Sequence, residues 1–307
     1  MRNGFTLIEL SIVLVIIGLI VGGILTGRDL ISAAAQRAQI AQIEKYNTAA
    51  NTFRGKYGNL PGDITDPYAT NFGFAARGSF AGEGDGNGII EGNNGNAAQM
   101  NGGWFINGEM GLFWRDLSTA GLVDGSFTVA TATGNPGSNV TGAALSGYMP
   151  SAKIGGNNYV YAWSGGVTSC MNGALPGNLS NGLNYYGVSG ITLLATDSTL
   201  HSYPALSVLQ AYNIDKKIDD GMPQAGAVQA FYLYSGSGFV SCWPAGGGAA
   251  GADDASGGPV VAGDGVSTAG SSTTCYDNGG VAGATEKYSM AQNGGNGLNC
   301  ALSFRMQ

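Results

Sequence analysis

Gly4-Phe5-Thr6-Leu7-Ile8-Glu9-Leu10 runs directly into Ser11-Ile12-Val13-Leu14-Val15-Ile16-Ile17-Gly18-Leu19-Ile20-Val21, so one carboxylate stands near the start of an otherwise apolar stretch. Between Phe5 and Leu25 the clearly polar side chains are Thr6, Glu9 and Ser11. Wound as a helix, this stretch spans roughly 30 Å, the thickness of a bilayer core. A carboxylate left unpaired there costs on the order of 3 kcal/mol or more, so Glu9 marks a functional position with a partner to be named. A secretory signal sequence would instead place a shorter apolar core ahead of a small-residue cleavage site. Here the core is long, holds an acid and ends in Gly22-Gly23.

The order Met1-Arg2-Asn3-Gly4, then Phe5, then Glu9 resembles the type IV pilin superfamily, pseudopilins included. The resemblance implies that residues 1–4 are a leader cut after Gly4 by a prepilin peptidase. It also implies that the new terminus at Phe5 is N-methylated and that Glu9 faces the Phe5 amine of a neighbouring subunit. Physics agrees with that role, because two charges leave water tolerably only when they neutralise each other with good geometry. Three later runs, from Phe53 to Asp63, from Leu112 to Leu117 and from Tyr212 to Pro223, resemble a subgroup of large, Gly-rich prepilin-type proteins.

After Gly27-Arg28-Asp29 the pattern becomes amphipathic, with Ile40, Ile43, Tyr46, Ala50, Phe53 and Tyr57 recurring in steps of three and four. That is a single helical stripe. The expected organisation is a leader 1–4, a transmembrane and assembly half 5–27, an amphipathic half 28–57 and a soluble domain 58–307. The helix itself is expected to break near Gly55 to Gly58. Gly18, Gly22, Gly23 and Gly27 each lower helix propensity by about 1 kcal/mol relative to Ala, which permits close contact or local unwinding. Downstream, Glu109 to Ala120 and Ala205 to Ala211 read as short helices. Tyr159 to Trp163, Ile191 to Leu194 and Ala227 to Tyr234 read as strands, with Gly/Ser/Asn turns between them. The expected fold class is α+β, a long N-terminal helix packed on an antiparallel sheet with large loop insertions.

The chain carries a formal charge of −7 and 54 glycines among 307 residues, so its soluble part offers a phosphate backbone little to bind. No nucleic-acid partner is expected. A Gly/Ala/Ser-rich region over 244–299 has few large apolar residues with which to bury a core. Cys170, Cys242, Cys275 and Cys300 are widely spaced without a CxxC, which favours disulfides in an oxidising compartment over a zinc site. Three pairings are open from the residues alone. The resemblance implies Cys275 with Cys300, closing a C-terminal loop as in many pilins, which leaves Cys170 with Cys242. The single histidine, His201, has no acid or nucleophile at useful spacing, and no phosphate-binding Gly-Lys-Ser/Thr loop occurs. The chain does not read as an enzyme.

Glu83-Gly84-Asp85-Gly86-Asn87-Gly88-Ile89-Ile90-Glu91 matches the opening of an EF-hand loop, with side-chain oxygens at Glu83, Asp85 and Asn87 and a backbone carbonyl at Ile89. With Glu91 these are the candidate Ca²⁺ ligands. Asn94 stands where such a loop needs its closing bidentate Glu.

The functional expectation is a structural subunit of a type IV pilus-like filament, polymerised through its N-terminal helix after cleavage. The alternatives are a minor or tip pilin that adheres to a surface or substrate, and a type II secretion pseudopilin. The implied partners are identical or related pilin subunits, the prepilin peptidase and the inner-membrane assembly machinery. The implied location is the inner membrane, with the soluble domain periplasmic, and then an extracellular pilus or a periplasmic pseudopilus.

Overall fold

The structure is a computed structural model describing residues 6–80, 82–92, 107–133, 136–164, 182–196, 199–236, 239–244, 275–277, 285–290 and 295–307. Its helices are α1 (Leu7–Tyr57), α2 (Tyr68–Asn71), α3 (Glu109–Thr119) and α4 (Val208–Ile218). Its strands are β1 (Asn158–Ser164), β2 (Asn184–Leu194), β3 (Leu200–Tyr203), β4 (Val228–Gln229), β5 (Phe231–Gly236), β6 (Phe239–Pro244), β7 (Tyr276–Asp277), β8 (Lys287–Tyr288) and β9 (Leu302–Arg305).

Both ends of α1 are encoded locally. Thr6 is its N-cap in a reciprocal capping box with Glu9. Gly58, at φ 85°, turns left-handed and donates its N–H to the Arg54 carbonyl, with Arg54 and Lys56 in the last turn. The helix continues through Gly55 and stops at Tyr57, within the break expected at Gly55 to Gly58, because the αL position falls at Gly58. At 51 residues it is about 76 Å long. Its N-terminal half is left uncovered by the described residues: Leu10, Leu14, Leu19, Ile24 and Ile31 are all exposed. From Gln36 onward one face is buried, with Ile43, Tyr46, Ala50 and Phe53 in the core as their spacing predicts.

The main sheet is antiparallel. β2 pairs along one edge with β1, Trp163 facing Tyr185 and Asn158 facing Gly190. Its other edge is shared end to end by β9 (Tyr186 with Phe304) and β3 (Leu194 with Leu200), and β4 extends the sheet beyond β9. Gly187 lies opposite Tyr161, whose buried ring crosses it so closely that a Cβ there would sit 2.3 Å from ring carbons. The core joins α1, α3 and the sheet through aromatic rings. Tyr46 meets Trp114 edge-on at 4.7 Å and Tyr186 at 6.1 Å, and Phe113 packs on Trp114 at 5.1 Å. Burial of such rings, at about 25 cal/mol per Å², is the main force holding the domain on α1.

Polar contacts fix that docking. Gln42 donates to the Ser151 carbonyl at 2.9 Å and accepts from the Lys153 N–H at 2.9 Å, while Gln39 accepts from the Ile154 N–H at 3.1 Å. At the other end of the sheet, Asn51 donates to the Gln307 carbonyl at 2.8 Å. The Arg77–Asp116 ion pair, 2.6 Å and fully buried, ties the segment after α1 to α3. Asp116 also accepts the Gly62 N–H at 2.7 Å.

The expected α+β architecture is the observed one, with local differences. The helix expected over Ala205–Ala211 begins at Val208 and runs to Ile218, because Ser207 with Gln210 forms a capping box in place of a start at Pro204. The strand expected over Ala227–Tyr234 is two, β4 and β5, in different sheets. Most of 244–299 lies outside the described residues, yet the parts described reach the core. Tyr276 is fully buried and Tyr288 nearly so, and Cys275 is bonded to Cys300. Cys170 lies outside the described residues, as does the side chain of Cys242, and so does their expected pairing.

Candidate functional site: an uncovered helix and an acidic loop

The first site is the N-terminal half of α1. Thr6 donates its N–H to Glu9 Oε2 at 2.8 Å and its hydroxyl to the same oxygen at 2.7 Å, and the Glu9 N–H returns to the hydroxyl at 3.4 Å. The carboxylate therefore faces the helix start, on the side from which the chain enters. Gly4 and Phe5 lie outside the described residues. Beyond Glu9 the surface is a cylinder of leucine, isoleucine and valine. Among the described residues α1 is the one helix long and apolar enough to cross a bilayer. A hydrocarbon sleeve of this size in water would cost tens of kcal/mol, so it needs lipid or protein around it. Gly18, Gly22, Gly23 and Gly27 have nothing within 4 Å of where a Cβ would stand, so their lack of a side chain serves no contact inside this subunit.

The second site is the loop over Glu83–Glu91, whose predicted carboxylate ligands Glu83, Asp85 and Glu91 do not gather within 4.8 Å of one another. Glu83 is buried, with Oε2 accepting the Phe80 N–H at 3.0 Å. Asp85 is exposed and accepts from the Asn87 N–H at 3.0 Å, Asn87 accepts from the Ile89 N–H at 2.7 Å, and Asn87 Nδ2 reaches Glu91 at 3.3 Å. These are side-chain turns that shape a Gly-rich loop. At this loop the carboxylates gathered within 4.8 Å of one another are Asp63, Asp85 and Glu109, of which the predicted set contained only Asp85; Asp215, Asp219 and Asp220 form a second such group after α4.

Asp63 and Glu109 instead hold the loop by its backbone. Asp63 accepts from Gly86 at 2.7 Å and Gly88 at 2.8 Å, and Glu109 accepts from Gly84 at 3.0 Å, Asp85 at 3.3 Å and Glu91 at 2.9 Å. Burial drives the Glu109 carboxyl well above its ordinary range, and the nearby Asp63 charge adds to the effect. Burial likewise lifts Asp63 to about 6, against the pull of the Gly88 and Gly86 N–H groups. The sequence signals for this pair are weak. Glu109 reads only as an acid in the first turn of α3, and Asp63 as a turn residue after Pro61-Gly62.

Residues 1–25 match the family model for the prokaryotic N-terminal methylation motif, the signature of type IV pilins and pseudopilins. The motif implies processing by a prepilin peptidase and assembly into pilus-like filaments, and with the apolar helix it fits membrane anchoring before assembly. Proteins that carry it are structural. No curated protein and no solved structure matches the chain.

Proposed function

We propose that this chain is a structural subunit of a type IV pilus-like filament. It would be held in the inner membrane by α1 until prepilin peptidase cuts after Gly4, and then polymerised through that same helix. The observation that carries the reading is the pairing of a capped Glu9 with an apolar half-helix that its own domain leaves uncovered. Lipid satisfies the sleeve before assembly, and other copies satisfy it afterwards. Glu9 has its carboxylate at the helix start, where the methylated amine of a processed neighbour can approach. Joining the two removes both charges from water as a pair, and a subunit out of register leaves one of them bare.

The soluble domain, 58–307, would then form the filament exterior. The test is to shear surface material from cells that express the chain and from cells that lack it, and to image both by electron microscopy. Filaments that contain the chain and vanish in its absence support the reading, whereas filaments unchanged in number and composition refute it.

A further inference from the structure

A cavity of about 350 Å³ opens where the end of α1, the turn after it, the loop over 86–88, the start of β2 and residues 305–307 meet. That is the size of a small-ligand site. The charged side chains that line it are Arg54 of α1, Arg305 of β9 and Asp63. Asp63 is already engaged, accepting the Gly86 N–H at 2.7 Å and the Gly88 N–H at 2.8 Å. The arginines are not. Among the described residues the ion pairs are Lys45–Asp124 and Arg77–Asp116, so no carboxylate pairs with the guanidinium of Arg54 or of Arg305. Two like charges at one cavity repel each other, and an anion between them relieves the repulsion.

The rest of the lining selects the anion. The amide nitrogens of Asn51 and Asn59 donate to main-chain carbonyls, of Gln307 at 2.8 Å and of Asp63 at 3.4 Å, which leaves both amide oxygens as acceptors. Leu60 and Met306, both half-buried, add apolar surface. A guanidinium fork matches a carboxylate, amide oxygens accept from hydroxyl groups, and the apolar wall suits the CH face of a ring. A simple inorganic anion uses only the first of these features, whereas a sugar acid uses all three. We infer that this cavity binds a sugar acid, a ring bearing hydroxyl groups and one carboxylate, with Arg54 and Arg305 on the carboxylate.

The position of the cavity keeps it accessible. Arg54 stands about 55 Å along the helix axis from Ile17, the middle of the apolar half, so a bilayer centred on that half does not reach it. The inference adds a binding activity to the soluble domain and does not depend on filament assembly.

The test is calorimetric titration of the full chain, held in detergent micelles, with galacturonate, glucuronate, galacturonate methyl ester and acetate. At least one of the two sugar acids should bind, at least about tenfold more tightly than the ester, which lacks the charge, and than acetate, which lacks the ring. Ester binding equal to that of the acids would remove the arginines from the site, and acetate binding as tight would remove the ring. Absence of binding by both acids would remove the site itself, and each of these three results overturns the inference. Arg54→Gln/Arg305→Gln alters two exposed side chains, so it should leave the melting temperature within error and weaken the better sugar acid at least about tenfold. Unchanged affinity in that variant would contradict the inference, and the comparison of the four compounds on the parent chain decides it should the variant fail to fold.

Discussion

Glu9 Oε2 lies 2.7 Å from the Thr6 hydroxyl and 2.8 Å from the Thr6 N–H, so the carboxylate closes the start of its own helix before it meets another chain. The cap holds a costly group in one place. Glu9→Val should therefore leave the chain stably inserted, since an apolar side chain is cheaper than a carboxylate in hydrocarbon. It should still cut filament yield severely, because the Phe5 amine of a neighbour loses its counter-charge. Quantifying the chain in membranes and in sheared filaments separates the two effects, and unchanged filament yield would remove the pairing role from Glu9.

Glu109 accepts three backbone N–H groups of one loop from a fully buried position. Glu109→Ala strands those donors without water, at roughly 1–3 kcal/mol for each one left unpaired. Thermal unfolding should show a loss of about 3 kcal/mol or more, with Glu109→Gln milder because its amide oxygen can still accept. Equal losses in the two variants would mean that the acceptor oxygens are not what matters.

Gly187 is required by contact. A methyl group there would collide with the Tyr161 ring, which cannot swing aside because its hydroxyl accepts from both the Leu233 N–H at 3.0 Å and the Ser189 hydroxyl at 3.2 Å. Gly187→Ala should destabilise the domain by about 1–3 kcal/mol. Denaturant unfolding of the variant against the parent measures this, and a difference within error would show that the strand and ring can separate freely.

Burial raises the carboxyl of Asp215 from 3.8 to about 7, even though it accepts hydrogen bonds from the Tyr288 hydroxyl and the Gly221 N–H. A carboxyl that holds its proton more tightly when folded contributes stability that is full below the unfolded value near 4. That contribution is lost as pH rises through 7. Asp63, lifted to about 6, acts in the same direction. The melting temperature should thus be higher at pH 5 than at pH 8, and Asp215→Asn should flatten the difference. A domain that becomes steadily more stable from pH 5 to 8 would contradict this assignment.

What could be read in advance follows the range of the forces involved. The start of α1, its buried stripe, α3 and β1 are local patterns of apolar residues and caps, and they stand where the sequence puts them. β2 was visible only over its last residues, because Gly187 and Gly190 interrupt its β-branched run for the sake of Tyr161 and Tyr203, which are met across the sheet. The pairing of β9 with β2, at the C-terminus, depends on contacts too distant in sequence for any local pattern to register. The acidic site illustrates the same limit. Asp85 sits in a recognisable motif, whereas Asp63 and Glu109 join it only because the turn at Gly62 and the start of α3 bring them there. The assembly helix was legible because its chemistry is contained in one continuous run.

The most direct test of the central claim is N-terminal mass spectrometry of filaments sheared from cells with an active prepilin peptidase. The chain should be present in them and should begin at N-methyl-Phe5, with Met1 to Gly4 removed. Recovery of the chain only with Met1 intact, or its absence from the filaments altogether, would contradict the account.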